Sequence, residues 1–154
     1  MIRKAEVGDV QAITALLRGM SNLFSQISAE TPVETQQRVA RHLTLCLADD
    51  SHSVYVAESA IGDLSGYVSV HWLPYLILAG PEGYVSELFI AETCRGQGVG
   101  RQLLDAVVAE ARERGCARLM LLNMRHRESY QRQFYSKQGW KEREEAANFV
   151  YPLK

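Results

Sequence analysis

Several protein classes are excluded by what this chain has little of. Its three cysteines, Cys46, Cys94 and Cys116, are odd in number and far apart. That rules out a disulfide framework and any C-x-x-C pair, and it points to reduced thiols in a cytoplasm. The four histidines, His42, His52, His71 and His126, make no H-E-x-x-H or other tight ligand cluster, so no metal site is expected. Neither charge sign dominates: 17 basic residues face 18 acidic ones, for a net charge of −1. The electrostatic case for nucleic acid or an anionic membrane as partner is therefore missing. No apolar run reaches the roughly 18 residues of a membrane span. The opening Met1-Ile2-Arg3-Lys4-Ala5 lacks the apolar core of a signal peptide. With no repeat, linker or low-complexity stretch, residues 1–154 read as a single domain of ordinary soluble composition.

What the chain does have is glycine in one place. Arg95-Gly96-Gln97-Gly98-Val99-Gly100-Arg101 sets three glycines at alternate positions. Ahead of it lies an apolar run, Val85 to Ile90, that reads as a buried strand. After it comes an amphipathic helix from about residue 98 to Glu113, with Leu103, Leu104, Val107, Val108 and Ala111 on one face. A glycine-rich strand-to-helix turn exposes backbone N–H groups where the helix dipole is positive, and that geometry holds phosphate or pyrophosphate. A glycine-rich helix entry with no ligand is the plain alternative. The spacing separates the possible cofactors. A dinucleotide fingerprint needs G-x-G-x-x-G, but its third glycine here falls one place early, and Glu110 and Glu113 lie inside the helix rather than about 20 places on at a strand end. A P-loop needs Lys-Ser or Lys-Thr after a glycine, and none occurs.

The remaining elements follow from periodicity and breakers. Residues 2–5 predict a short strand, and Asp9 is a candidate cap for a helix with Ile13, Leu16 and Leu17 on one face. Residues 21–31 read as a loop. Thr31-Pro32-Val33-Glu34 predicts a capped helix start, with that helix ending near Asp49-Asp50. Residues 53–57 and 64–73 predict a hairpin turning at Gly62-Asp63. Residues 117–124 predict a strand buried on both faces, 128–138 an amphipathic helix, and 140–142 and 149–153 closing strands. The order β α α β β β α β α β β gives an α/β fold: a mixed, mostly antiparallel sheet with a parallel β–α–β unit around the glycine turn and helices on both faces.

Four segments in order carry a family resemblance over nearly the whole chain. They are Ile2-Arg3-Lys4-Ala5 with Asp9; Tyr84 to Ile90 followed by Arg95 to Leu104; Ala111 to Cys116 with Leu119 to Leu122; and Phe134-Tyr135-Ser136-Lys137-Gln138-Gly139-Trp140. Arg95, Gly98 and Gly100 match [Q/R]-x-x-G-x-[G/A], and the whole resembles the GNAT superfamily of acetyl-CoA-dependent N-acetyltransferases. The resemblance implies the GNAT-like mixed sheet and direct attack of an amine on the thioester of acetyl-CoA, with no metal. It implies a small-molecule or peptide amine as acceptor. The acetyl-CoA pyrophosphate would rest on Gly96, Gln97, Gly98, Val99, Gly100 and Arg101, with Arg95 or Arg101 reaching a phosphate; for either arginine a solvated charge is the plain alternative. The pantetheine arm would pair with Leu88, Phe89 and Ile90, and a backbone N–H near Leu88 would stabilise the oxyanion. Where many members place an asparagine before the tyrosine this chain has Glu128, and Asn123 nearby is the candidate substitute.

The resemblance, taken with the chemistry of acetyl transfer, singles out two side chains. Tyr135 is the candidate general acid for the leaving sulfur, against a core role beside Phe134. Glu87 interrupts an apolar strand and is the candidate base, against a role as a rim carboxylate or an anchor for a cationic substrate. Ser86 and Tyr84 are weaker candidates, expected on the opposite strand face, and His71 is a candidate proton relay. Leu23, Phe24, Trp72, Tyr75 and Leu76 are candidate lining for an acceptor pocket. The alternative to an enzyme is a non-catalytic acyl-CoA sensor on the same fold, and the presence of both Tyr135 and Glu87 favours the enzyme. Open sheet edges allow a homodimer.

Overall fold

In the computed structural model, which describes residues 1–154, one five-stranded sheet carries the fold in the order β1-β2-β3-β4-β5. The strands are β1 (Ile2–Lys4), β2 (His52–Glu58), β3 (Leu64–Leu73), β4 (Glu82–Ile90) and β5 (Arg118–Leu121). All neighbours are antiparallel except β4 and β5, which run parallel. Five helices accompany them: α1 (Val10–Arg18), α2 (Ser25–Ala29), α3 (Pro32–Leu47), α4 (Val99–Glu113) and α5 (Glu128–Gln131). α4 joins β4 to β5, so the predicted β–α–β unit is present. The contacts divide the chain into two compact units, Met1–Leu122 and Asn123–Lys154. No helix is long and apolar enough to cross a membrane.

Strand alternation puts helices on both faces of the sheet. Val54 and Val56 of β2 and Tyr67 of β3 pack with Ile13, Leu16, Leu17, Ile27, Val39 and Leu43, the apolar faces of α1, α2 and α3. The alternate residues Ser53 and Tyr55 point the other way, where both hydrogen-bond the Glu110 carboxylate of α4 at 2.9 and 2.8 Å. Leu103, Leu104 and Val107 of α4 are completely or almost completely buried on that side.

Local chemistry sets the helix ends. Thr31 caps α3, its hydroxyl accepting from the Glu34 N–H, while Glu34 accepts from the Thr31 N–H in return. α4 stops at Gly115, whose φ of 67° closes the turn, with Cys116 N–H on the Ala111 carbonyl and Gly115 N–H on Arg112. The Glu30 carboxylate takes both ends of the Arg38 guanidinium fork at 2.9 Å. Arg38 first, then Gln26, hold the Glu30 pKa down at about 2 against an ordinary 4.5. A depressed folded-state pKa gives stability that is present above the unfolded value and lost as pH falls through the folded one. Arg38→Gln is therefore expected to flatten the stability profile between about pH 4.5 and 2, read from urea midpoints measured across that range.

Five expectations are corrected. Residues 25–29 of the supposed loop form α2. β5 is shorter than predicted and only half-buried, because as the last strand it pairs on one side alone. The helix expected over 128–138 ends at Gln131: Gln133 takes a φ of 56°, and Phe134 N–H turns back to the Ser129 carbonyl, the signature of a left-handed helix stop. Residues 140–142 and 149–153 are not strands, and Phe149, Val150, Tyr151 and Leu153 are exposed. Asp9 does not cap α1. It accepts instead from the Glu6 N–H and from both ends of the Arg3 fork, at 2.8 Å each.

Candidate active site

The glycine turn delivers a helix N-terminus that no side chain caps. Gly96 and Gly98 have φ of 75° and 80°. A Cβ at either would meet nothing within 4 Å, so the requirement there is backbone conformation rather than space. Gly98 starts α4 with no side-chain cap, unlike Thr31 on α3. The first helical bond is Gln102 N–H to the Gly98 carbonyl, which leaves the N–H groups of Gly98, Val99, Gly100 and Arg101 without intrahelical partners. Four aimed donors at the positive end of a helix suit a pyrophosphate. Arg95 and Arg101 are exposed nearby, and Arg101 makes only a loose 3.8 Å contact with Asp105. The Gln97 side chain is turned back onto the Thr93 carbonyl at 3.0 Å.

Beside this turn, β4 and β5 part. Their pairing runs from Glu82 opposite Arg118 to Val85 opposite Leu121 and stops there. Ser86 to Ile90 therefore have no β5 neighbour. Ala91 N–H bonds the Ser65 carbonyl toward β3 at 2.8 Å. By the alternation of an antiparallel ladder, Phe89 also faces β3, and the N–H and C=O groups of Leu88 and Ile90 face the opened side. An extended amide-bearing chain has a strand edge to bind there.

A bulge in β4 reorganises the candidate side chains. Val70 pairs with Val85 and Ser69 with Glu87, so Ser86 is an extra residue. Two consecutive polar side chains thereby share one face, and the expected separation of Glu87 from Ser86 and Tyr84 is corrected. Glu87 accepts from the Tyr67 hydroxyl at 3.2 Å, Ser86 meets His71 at 2.8 Å, and the Tyr84 ring lies 6.2 Å from that of His71. Tyr67, Ser69 and His71 are alternate residues of β3, so all of these adjoin the face covered by α1 to α3.

Glu87 is exposed to solvent at the strand surface, yet enough protein surrounds its carboxyl to cost the charged form hydration. Burial pushes its pKa above the ordinary carboxylate value, against the smaller opposing effects of the Tyr67 hydroxyl, Arg38 and His42. Tyr67 is deeply buried and held well above the ordinary phenol value, chiefly by desolvation and then by Glu87, so it remains a donor to that carboxylate. Arg38 and His42 face Glu87 from α3, but the Arg38 fork is already taken by Glu30. The arrangement leaves a carboxylate with a raised proton affinity and no ion-pair partner beside an open strand edge.

The other candidates divide. Trp72 is structural, buried on the α4 face with its indole N–H on Ser53 at 3.0 Å and the Arg114 guanidinium over its ring at 4.8 Å. Phe24 packs edge-on against Phe89 at 5.3 Å. Leu76 is fully exposed. Tyr135 and Asn123 belong to the second unit. The Tyr135 ring meets Phe134 at 4.9 Å and Trp140 at 6.1 Å, its hydroxyl is not hydrogen-bonded to protein, and burial pushes its pKa up to about 12. Asn123 accepts from the Ser129 hydroxyl at 3.0 Å, and Glu128 is exposed in the first turn of α5. Sequence reasoning missed Tyr67, which reads as an ordinary apolar strand residue until the bulge sets Glu87 opposite it.

An uncapped helix N-terminus following a strand that parts from its parallel neighbour defines an α/β protein with free backbone donors and a free strand edge at one strand end. The family model for the acetyltransferase (GNAT) family matches residues 19–140, and the chain belongs to that family. It is 34% identical over 116 residues to an L-methionine sulfoximine/L-methionine sulfone acetyltransferase of Pseudomonas aeruginosa, covering 74% of this chain and 64% of that protein. It is 30% identical over 123 residues to glucosamine 6-phosphate N-acetyltransferase 1 of Oryza sativa subsp. japonica, covering 78% and 70%. It is 31% identical over 121 residues to aminoglycoside N(6')-acetyltransferase type 1 of Stenotrophomonas maltophilia, covering 77% and 71%. Among solved structures, a transcriptional regulator from Bacillus halodurans C-125 has the same fold, with a TM-score of 0.83 at 23% identity over 98% of this chain and 99% of that one.

Proposed function

We propose that this chain transfers the acetyl group of acetyl-CoA to a primary amine of a small molecule. The observation that carries the reading is the juxtaposition in one unit of the uncapped α4 N-terminus, the freed edge of β4 beyond Val85, and Glu87 on that same stretch of strand. The pyrophosphate would lie on the N–H groups from Gly98 to Arg101, and the pantetheine arm along Leu88 to Ile90. The Leu88 N–H, turned to the open side, would receive the developing oxyanion. Glu87 would take a proton from the ammonium so that the neutral amine can attack, and the tetrahedral intermediate would collapse with the sulfur leaving as the thiolate, which takes up one of the two protons released. The three named relatives act on small amines, which supports a small-molecule acceptor.

Calorimetric titration with acetyl-CoA, followed by a turnover screen on L-methionine sulfoximine, glucosamine 6-phosphate and sisomicin, tests the reading. Micromolar binding with release of CoA upholds it; absence of acetyl-CoA binding overturns it. Tyr135→Phe supplies a finer check. A phenol at about 12 delivers its proton uphill to a thiolate, whose own ordinary pKa is about 8.5. The variant is thus expected to lose kcat by about tenfold rather than completely, with the acetyl-CoA Kd unchanged.

A further inference from the structure

Acetylating an ammonium moves two protons. One leaves before attack and the other as the tetrahedral nitrogen collapses; one ends on the CoA sulfur and the other must reach solvent. Glu87 answers for one of them. Resting on the acetyltransferase reading above, we propose that Ser86 and His71 form a second proton exit beside Glu87, with Ser86 touching the amine and His71 acting through it as a positioning residue.

The geometry is specific. His52, His71 and Tyr84 are register partners across β2, β3 and β4, and the β4 bulge swings Ser86 onto their face. Ser86 Oγ lies 2.8 Å from His71 Nε2 and 3.5 Å from the Ser69 carbonyl oxygen. In the relay the Ser86 hydroxyl gives its hydrogen along the shorter contact to His71 Nε2, and His71 takes part as its Nδ1–H tautomer. The His52 ring stands edge-on to His71 at 4.5 Å. Asp49 accepts the Ser51 hydroxyl at 2.5 Å, so Ser51 Oγ must in turn accept from His52 Nδ1, 2.7 Å away. The line Asp49–Ser51–His52 thus fixes the ring against which His71 rests.

In the transfer, the amine nitrogen keeps its electron pair as its N–H bond breaks. Ser86 Oγ gains that proton while its own passes to His71 Nε2, leaving an imidazolium that gives its proton to water. His71 is half-exposed, which opens that last path. Burial first, and His52 second, lower its pKa below the ordinary histidine value, so the imidazolium sheds its proton readily. The groups facing this pair are His52 from β2, Tyr84 from β4, Asp49 by way of Ser51, and Arg38 and His42, which face Glu87 from α3. Arg18 of α1 is turned onto the Ile27 and Glu30 carbonyls, and Glu110 and Arg114 of α4 lie on the opposite face.

The test uses the full chain and whichever acceptor turns over in the screen above. His71→Gln and Ser86→Ala are expected to lower kcat/KM about tenfold or more and to remove one ionisation from its pH profile, with the acetyl-CoA Kd and the far-UV spectrum unchanged. An unchanged rate and pH profile in His71→Gln overturns the relay and leaves the acetyltransferase reading standing. Failure of the wild-type chain to acetylate any amine overturns that reading, and the relay with it. NMR titration of the imidazoles gives a readout that needs no turnover. His52→Gln is expected to raise the His71 midpoint and Ser86→Ala to move it, whereas a His71 midpoint indifferent to both overturns the proposal.

Discussion

Gly98→Asp is expected to abolish acetyl-CoA binding while leaving the protein folded. A non-glycine residue at φ 80° costs about 1–2 kcal/mol, a cost that aspartate tolerates better than most residues. An aspartate is also a good helix N-cap, so its carboxylate can fill the N–H groups that α4 leaves unpaired. The gain to the empty protein is the loss to the ligand: a fixed negative charge stands where the pyrophosphate must lie, on donors already used. Calorimetry should show the acetyl-CoA Kd raised at least about a hundredfold, or ~2.7 kcal/mol, with the thermal midpoint little changed. Gly98→Ala carries the strain without the charge and should lose far less. Equal losses in the two variants would mean that strain, not the anion seat, governs the site.

The second large effect belongs to Glu87. Glu87→Gln keeps the shape of the side chain and its contact with the Tyr67 hydroxyl but cannot accept the ammonium proton. The expected loss in kcat/KM is about 10² to 10⁴-fold, with the acetyl-CoA Kd unchanged. The sign of the pH dependence follows from the base being the ionised form. Activity rises with pH as Glu87 loses its proton, and since burial raises its pKa, that limb lies above the ordinary carboxylate value of 4.5. The variant should lack the limb. A Glu87→Gln enzyme with an unaltered limb would assign the ionisation to another group.

Much of this site could be read from residue order alone, and the reasons are local. Thr31, Pro32 and Glu34 specify a helix start within one turn, and the glycines at 96 and 98 specify a left-handed entry to the next long helix. Such signals need no distant partner. The parallel pairing of β4 and β5 followed from the helix that connects them, and it is present from Glu82 to Val85. The bulge was not legible. Strict alternation sends Ser86 and Glu87 to opposite faces, and only the β3 partner shows the extra residue. The closing segment failed for a related reason. Phe149, Val150 and Tyr151 have strand propensity, but a strand is defined by its neighbour, and residues 149–153 pair with none. Over 128–138 the apolar spacing was helical, yet one glutamine in a left-handed conformation ended the helix.

The single extra residue in β4 also limits how this strand can change by descent. Before it, one parity of residue number looks toward α4; after it, the other does. No point substitution can bring Glu87 around to the far side of the sheet, because exchanging a side chain does not recount the backbone. Nor would losing Ser86: the ladder would become regular, with Val85 still opposite Val70 and Glu87 still opposite Ser69, and only the second polar group beside the carboxylate would go. The extra residue adds a functional group to this face without displacing the one already there, so chain length here sets how many polar side chains the strand can gather at one point.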